Sequence, residues 1–187
     1  MKTFTIAVLT ILVLLGQNTT AFSKTIETQQ RGDFEVDGSF GFATGPDSFD
    51  SGYGFNFGAG KLLRTIDRNL QARIDISFYF FSYDYGFGRG SLDYSRVPIT
   101  ASGRYYVPIN SKLKAFVQAG LETSIDRFDY IAADGFRRTH SEVNLGISPG
   151  AGIEFNANPN ISFFILSRAH LISDSYFSTQ FGIASHF

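Results

Sequence analysis

The sequence predicts an all-β protein, an eight-stranded antiparallel up-and-down transmembrane β-barrel. Three observations carry that prediction. Apolar residues alternate with small or polar ones along eight separate stretches, at the two-residue period of a strand. The connections between those stretches run long, short, long, short. The last eleven residues, Phe177 to Phe187, form such a stretch and end the chain on an aromatic side chain. A terminal strand of that length is what a membrane barrel uses for closure.

Composition agrees. The chain has 187 residues, enough for one domain, with 21 Phe, 9 Tyr and 19 Gly against one Met and no Trp. A formal charge of −1 makes no electrostatic case for nucleic acid. With no cysteine there is no disulfide, thiolate metal site, cysteine nucleophile or lipidated N-terminal cysteine.

Residues 1–21 read as a signal peptide. Lys2 gives a positive start, and Phe4 to Leu15 is an apolar run too short to cross a bilayer as a helix. Thr19 and Ala21 form a small-x-small cleavage site, with Ala21 and Ser23 as another. Residues 22–32 are a polar lead-in, and 33–187 are the barrel.

The first strand sets Phe34, Val36, Gly38, Phe40 and Phe42 against Glu35, Asp37, Ser39 and Gly41. Thr44 to Ser51 is a loop of Gly, Pro, Asp and Ser. The second, Gly52 to Lys61, alternates aromatics with a row of glycines. Such a row lets long side chains from the opposite wall cross a narrow interior. A turn at Ile66 to Asn69 leads to the third strand, Leu70 to about Phe81, whose polar row is Gln71, Arg73, Asp75 and Ser77. The Gly86 to Ser91 loop imitates a phosphate loop, but no helix follows it.

Strand four, about Leu92 to Val107, carries Arg96, Thr100, Ser102 and Arg104 on its polar row, and Pro108 to Ser111 turns the chain. Strand five sets Leu113, Ala115, Val117, Ala119, Leu121 and Ile125 against Lys114, Gln118, Gly120 and Glu122. Beyond Ile125 the pattern becomes polar and aromatic up to Asp134-Gly135, a hairpin signal. Strand six alternates Val143 to Phe155 with Asn144 to Glu154, and Asn156 to Asn160 is a turn. Strand seven carries Ser162, Arg168 and His170 on its polar row, and Ser173 to Ser175 leads to the last strand. Pro98 and Pro149 sit inside strands although proline cannot donate to a ladder, and Pro149 implies a local distortion.

Alternation alone does not say which row faces inward. A soluble barrel with an apolar pocket would invert the assignment. The apolar rows carry almost no charge, which suits lipid. The other rows hold glycine, serine and balanced charges: Glu35, Asp37, Asp75, Glu122 and Glu154 against Arg73, Arg96, Arg104, Lys114 and Arg168. Ions inside a narrow barrel must be paired, so these ten define a lumen charge network and a plugged interior. Long connections then lie outside the cell and short ones in the periplasm.

The segments VPITASGRYYVP (Val97 to Pro108), GISPGAGIEFNANPNISF (Gly146 to Phe163) and the Phe-terminated last strand resemble the small outer-membrane β-barrel proteins, the group with the OmpA-type transmembrane domain and opacity-type barrels. The resemblance implies an outer-membrane location, contact with outer-membrane lipid, and recognition of the last strand by the barrel-assembly machinery. Phe177, Phe181, Ile183 and Phe187 match that terminal pattern.

His140, His170 and His186 lie on different segments without metal-ligand spacing, and no metal or cofactor is expected. Some small barrels resemble lipid A-modifying enzymes. Here His170 and Ser173 are three residues apart and so point to opposite faces. No nucleophile, base and orienter come together in the sequence, so a non-enzymatic barrel is expected. Its expected role is envelope integrity, or surface interaction through extracellular loops. The contact site expected is the Arg127 to His140 hairpin, with Phe128, Tyr130, Phe136, Arg137 and Arg138 meeting an extracellular ligand. A narrow pore for ions or small solutes and a lipid-modifying enzyme are the alternatives.

Overall fold

The structure is a computed structural model that describes residues 32–44, 51–84, 90–132 and 137–187. The expected signal peptide, most of the expected lead-in, the expected Asp134-Gly135 turn and Phe136 lie outside those residues.

The strands are β1 (Phe34–Ala43), β2 (Gly52–Leu62), β3 (Leu70–Asp84), β4 (Gly90–Pro108), β5 (Leu113–Ala132), β6 (Arg137–Ile147), β7 (Gly150–Asn156), β8 (Ile161–His170) and β9 (Tyr176–His186). All pair antiparallel, and β6 and β7 are two halves of one barrel strand. The order β4-β3-β2-β1-β9-β8-β7-β5, with β4 also on β5, closes an eight-stranded barrel. Closure matters because lipid offers no partner to an unpaired backbone group. The terminal strand closes the barrel on β1, where Phe34 N donates to Phe187 O at 3.2 Å and Phe187 N to Phe34 O at 2.9 Å.

Three tight turns sit on one rim, each closed by an Asp or Asn side chain. Asp67 Oδ1 accepts from Asn69 N at 2.8 Å. Asn110 Oδ1 accepts from Lys112 N and Leu113 N, and Asn158 Oδ1 from Asn160 N and Ile161 N. A short side-chain carbonyl can replace a backbone acceptor there, which explains the residue choice.

Burial follows the predicted alternation. Phe57, Ile74, Leu121, Leu145 and Ile183 are exposed on the outer face, whereas the charged row is buried. Two apolar layers sit inside. Leu62, Tyr106, Phe116, Phe164, Leu166 and Ala184 fill the turn end. Ala43, Tyr79, Phe81, Tyr94, Ile172 and Tyr176 fill the loop end.

The structure bears on three sequence expectations. First, β5 keeps its strand character beyond Ile125, as the expected hairpin requires. It continues to Ala132 because β4 and β6 pair along it, through Gly90↔Ala132 and Ile131↔Arg137. Alternation of hydropathy fails there because the row leaves the apolar band, not because the strand ends. Second, β4 begins at Gly90, inside the expected loop. Third, Pro149 shifts no register, and the local distortion it implies is the break between β6 and β7 at Ser148 and Pro149. Leu121↔Ile147 and Gln118↔Gly150 stay in step across it. Its carbonyl still accepts from Ala169 N at 2.9 Å, so the loss is one N–H in that hydrogen-bonded pair. Pro98 acts similarly: β3–β4 pairing lapses opposite it at Ser77 and Phe78, while Pro98↔Ser124 continues on the other side.

Candidate functional site

Between the two apolar layers lies an ionic one, centred on Arg73. Its guanidinium bonds Glu35 and Asp37 through very short contacts and Asp75 at 3.0 Å. Asp75 also receives Arg168 Nη2 at 3.3 Å and Gln118 Nε2 at 2.9 Å. Arg104 Nε donates to Gln118 Oε1 at 2.9 Å, and Arg104 lies over the Phe116 ring at 4.2 Å. A buried ion would cost several kcal/mol if left alone, and here each shares partners. Gly58 makes the arrangement possible. A Cβ at that position would run into Arg73, Asp75 and Asp37 together. The expected glycine row is therefore the floor over which the network crosses the lumen.

Nearer the loops, Arg96 meets Asp126 in a two-pronged pair, Nε to Oδ1 at 2.8 Å and Nη2 to Oδ2 at 2.7 Å. Its third nitrogen donates to Asp174 O at 2.9 Å. Lys114 sits at the turn end, 5.7 Å from the Tyr106 ring centroid, and Glu154 is 3.9 Å from His186 Nε2. All ten predicted lumen charges are thus buried inside.

A second constellation links three strands. Glu122 Oε2 lies 2.7 Å from His170 Nδ1, and His170 Nε2 lies 2.9 Å from Ser178 Oγ. Tyr176 stacks on the imidazole at 4.0 Å, and Tyr79 meets it edge-on at 6.0 Å. At the turn end Ser162 Oγ reaches His186 Nε2 at 2.9 Å, but the carboxylates of Glu35 and Glu154 stand 3.6 and 3.9 Å from that ring.

Outside the lumen, the β5–β6 extension carries its own ion cluster. Asp129 accepts Thr139 Oγ1 at 2.5 Å and Arg127 Nε at 3.0 Å, and pairs with Arg137 at 3.5 Å. The Thr139 hydroxyl and the Arg127 guanidinium hold the Asp129 carboxyl below the usual carboxylate range. The arginine side chains are 53% and 60% exposed, so they face solvent while Asp129 fixes their direction. Phe128, expected as a contact residue, is half-buried: it stacks on Tyr94 at 4.6 Å and packs against the loop-end apolar layer.

Sequence reasoning placed Gln71 and Gln118 on the inward polar rows but missed Asp126 and Ser178 as members of the interior sets. Asp126 was findable, because it shares the parity of Glu122 on one strand. The Ser178 link was not, because it joins separate strands through one register, Arg168↔Ser178 and His170↔Tyr176.

No match is found among curated protein sequences. Solved structures do match. The chain superposes on the Yersinia pestis attachment invasion locus protein Ail with a TM-score of 0.61 at 14% identity, covering 84% of this chain and 100% of that one. Neisserial surface protein A also scores 0.61, at 18% identity and coverage of 84% and 99%. OprG from Pseudomonas aeruginosa scores 0.66 at 14% identity, covering 87% and 99%. At such identities these likenesses speak for the fold. The family model described as "Outer membrane protein beta-barrel domain" matches residues 7–184. The closed barrel with its apolar exterior therefore belongs to the outer-membrane β-barrel family, and the protein resides in the outer membrane.

Proposed function

We propose that this barrel is a structural component of the outer membrane, its polar interior packed shut by its own side chains, and that it meets its surroundings through the β5–β6 hairpin. An eight-stranded barrel has room for little more than side chains. Arg73, Arg104 and Arg168 cross that space between two apolar layers, which supports a plugged lumen over a conducting one.

One observation carries the contact reading. Strand β6 pairs with β5 along its whole length, but across its other edge the described backbone pairing is a single bridge, Ile147↔Leu171. Arg137 to Ser141 are all exposed. An uncovered strand edge flanked by arginines suits an anionic partner, either an extended chain adding to the sheet or a polyanion. Ail has been crystallised with the heparin analogue sucrose octasulfate, which makes a sulfated polyanion the first probe here.

The test is binding of sucrose octasulfate to the refolded chain by calorimetry. Binding weakened by R127Q/R137Q supports the reading, and binding equal in a version with residues 127–140 replaced by a tight turn would sink it. The pore alternative predicts steps of current in planar bilayers that change in E122Q or R104Q. Silence from well-inserted protein removes it.

A further inference from the structure

We propose that the loop-end lumen holds an acyl-transfer site, with Ser178 as nucleophile, His170 as general base, Glu122 as its positioning residue and Arg168 as stabiliser of the oxyanion. Its substrate class is the carboxylic ester of an amphipathic lipid. The inference goes beyond the hairpin reading and is independent of it.

The distances form a chain. Ser178 Oγ to His170 Nε2 is 2.9 Å and His170 Nδ1 to Glu122 Oε2 is 2.7 Å, the nucleophile–base–orienter relation of a hydrolytic triad. Arg168 is the direct cross-strand neighbour of Ser178, and both face the lumen. Its Nε and Nη1 are buried with no partner, although Nη2 bonds Asp75. Unpaired buried N–H donors beside a nucleophilic hydroxyl are what a developing oxyanion needs. The non-enzymatic expectation rested on finding no such set.

Access follows from a break in the wall. Strand β8 ends at His170, and Ile147↔Leu171 is the last pair joining it to β6. Above that pair the described contact across the gap is a side-chain bond, Ser173 Oγ to Asn144 Oδ1 at 3.0 Å. Ile172 closes the gap from inside against Gly146, where a Cβ would strike its Cγ2. On the lipid side the gap is edged by Leu145, 77% exposed, and by Leu171. Its height follows from β5, whose residue Leu121 pairs with Ile147. Leu113 to Leu121 climbs about 20 Å of an apolar band roughly 25 Å tall, at ~3.4 Å per residue and ~40° of tilt. The gap therefore opens near the top of the outer leaflet's hydrocarbon, close to the ester linkages of membrane lipids. Displacing Ile172 lets an ester reach Ser178.

In the reaction, Ser178 Oγ bonds to the ester carbonyl carbon while His170 Nε2 takes the hydroxyl proton. The carbonyl electrons move onto oxygen, facing Arg168. Collapse breaks the ester C–O bond, and the proton on His170 passes to the departing alcohol. Water, deprotonated by His170, then releases the acid and restores Ser178.

The experiment uses the full mature chain refolded in detergent, with folding judged by the unboiled gel band, and an alkyl fluorophosphonate as probe. Mass spectrometry of the folded wild type is expected to find the adduct on Ser178. H170Q should slow labelling on the order of 10²-fold, E122Q should slow it and E122D partly restore it, while S162A leaves it unchanged. Folded wild type that stays unlabelled, or is labelled only at another serine, overturns the proposal without needing any variant. Labelling at an equal rate in folded H170Q overturns it too. Trimming the hairpin leaves Ser178 labelling intact, which separates this idea from the proposed contact surface.

Discussion

Arg73 stands among three carboxylates, Glu35, Asp37 and Asp75, with no solvent to replace it. Arg73→Ala should therefore destabilise the barrel by about 3–5 kcal/mol, because it leaves buried charges uncompensated. Urea unfolding in lipid vesicles reads this directly, and a loss under 1 kcal/mol would show that water enters the network freely. Gly58→Val attacks the same place by volume, and the heat-modifiable band should weaken. At the surface, Asp129 has a depressed pKa, so its folded-state contribution is present above the ordinary carboxylate value of 3.8 and is lost as pH falls through the lower folded value. The Arg127–Asp129–Arg137 cluster should thus survive at pH 4. Asp129→Asn should free both guanidiniums and tighten polyanion binding; weaker binding would mean that their fixed direction matters more than their charge. The polar rows were legible residue by residue, since parity along a strand assigns a face. Which acid meets which base was not, because Arg73–Glu35 joins residues 38 apart through two register choices.

At the scale of elements, β5 and β6 are the informative pair. Their apolar rows end at Ile125 and Val143, which face each other, and the strands continue into solvent. Replacing residues 127–140 by a short turn should leave the closed barrel intact, because ladder bonds below Val143 do not depend on the extension. Circular dichroism and gel migration check this, and loss of the folded band would make the hairpin part of the barrel's core. The turns were readable because Asp67, Asn110 and Asn158 announce their chemistry locally. The outcome at Pro149 was not, because a proline is tolerated or disruptive according to the pair it joins, and that pair, Ala169, lies on another strand.

For the whole molecule, closure depends on the terminal strand. Removing Phe187 takes away both bonds to Phe34 at the seam, and the fraction of protein showing heat-modifiable migration in outer membranes should fall. Unchanged migration would place closure elsewhere along β1–β9. What the sequence determined by itself was the class of fold, the eight crossings, the faces and the membrane that surrounds them. All of these follow from a two-residue period, from turn chemistry and from the cost of charge in lipid, and each acts over a few neighbouring residues. Only the tertiary structure decided that β8 stops short of β6's end, that Phe128 turns inward onto Tyr94, and that Glu122, His170 and Ser178 meet. Those outcomes depend on register and shear around a closed sheet, where each strand's offset is set by all the others, and no local pattern encodes that sum.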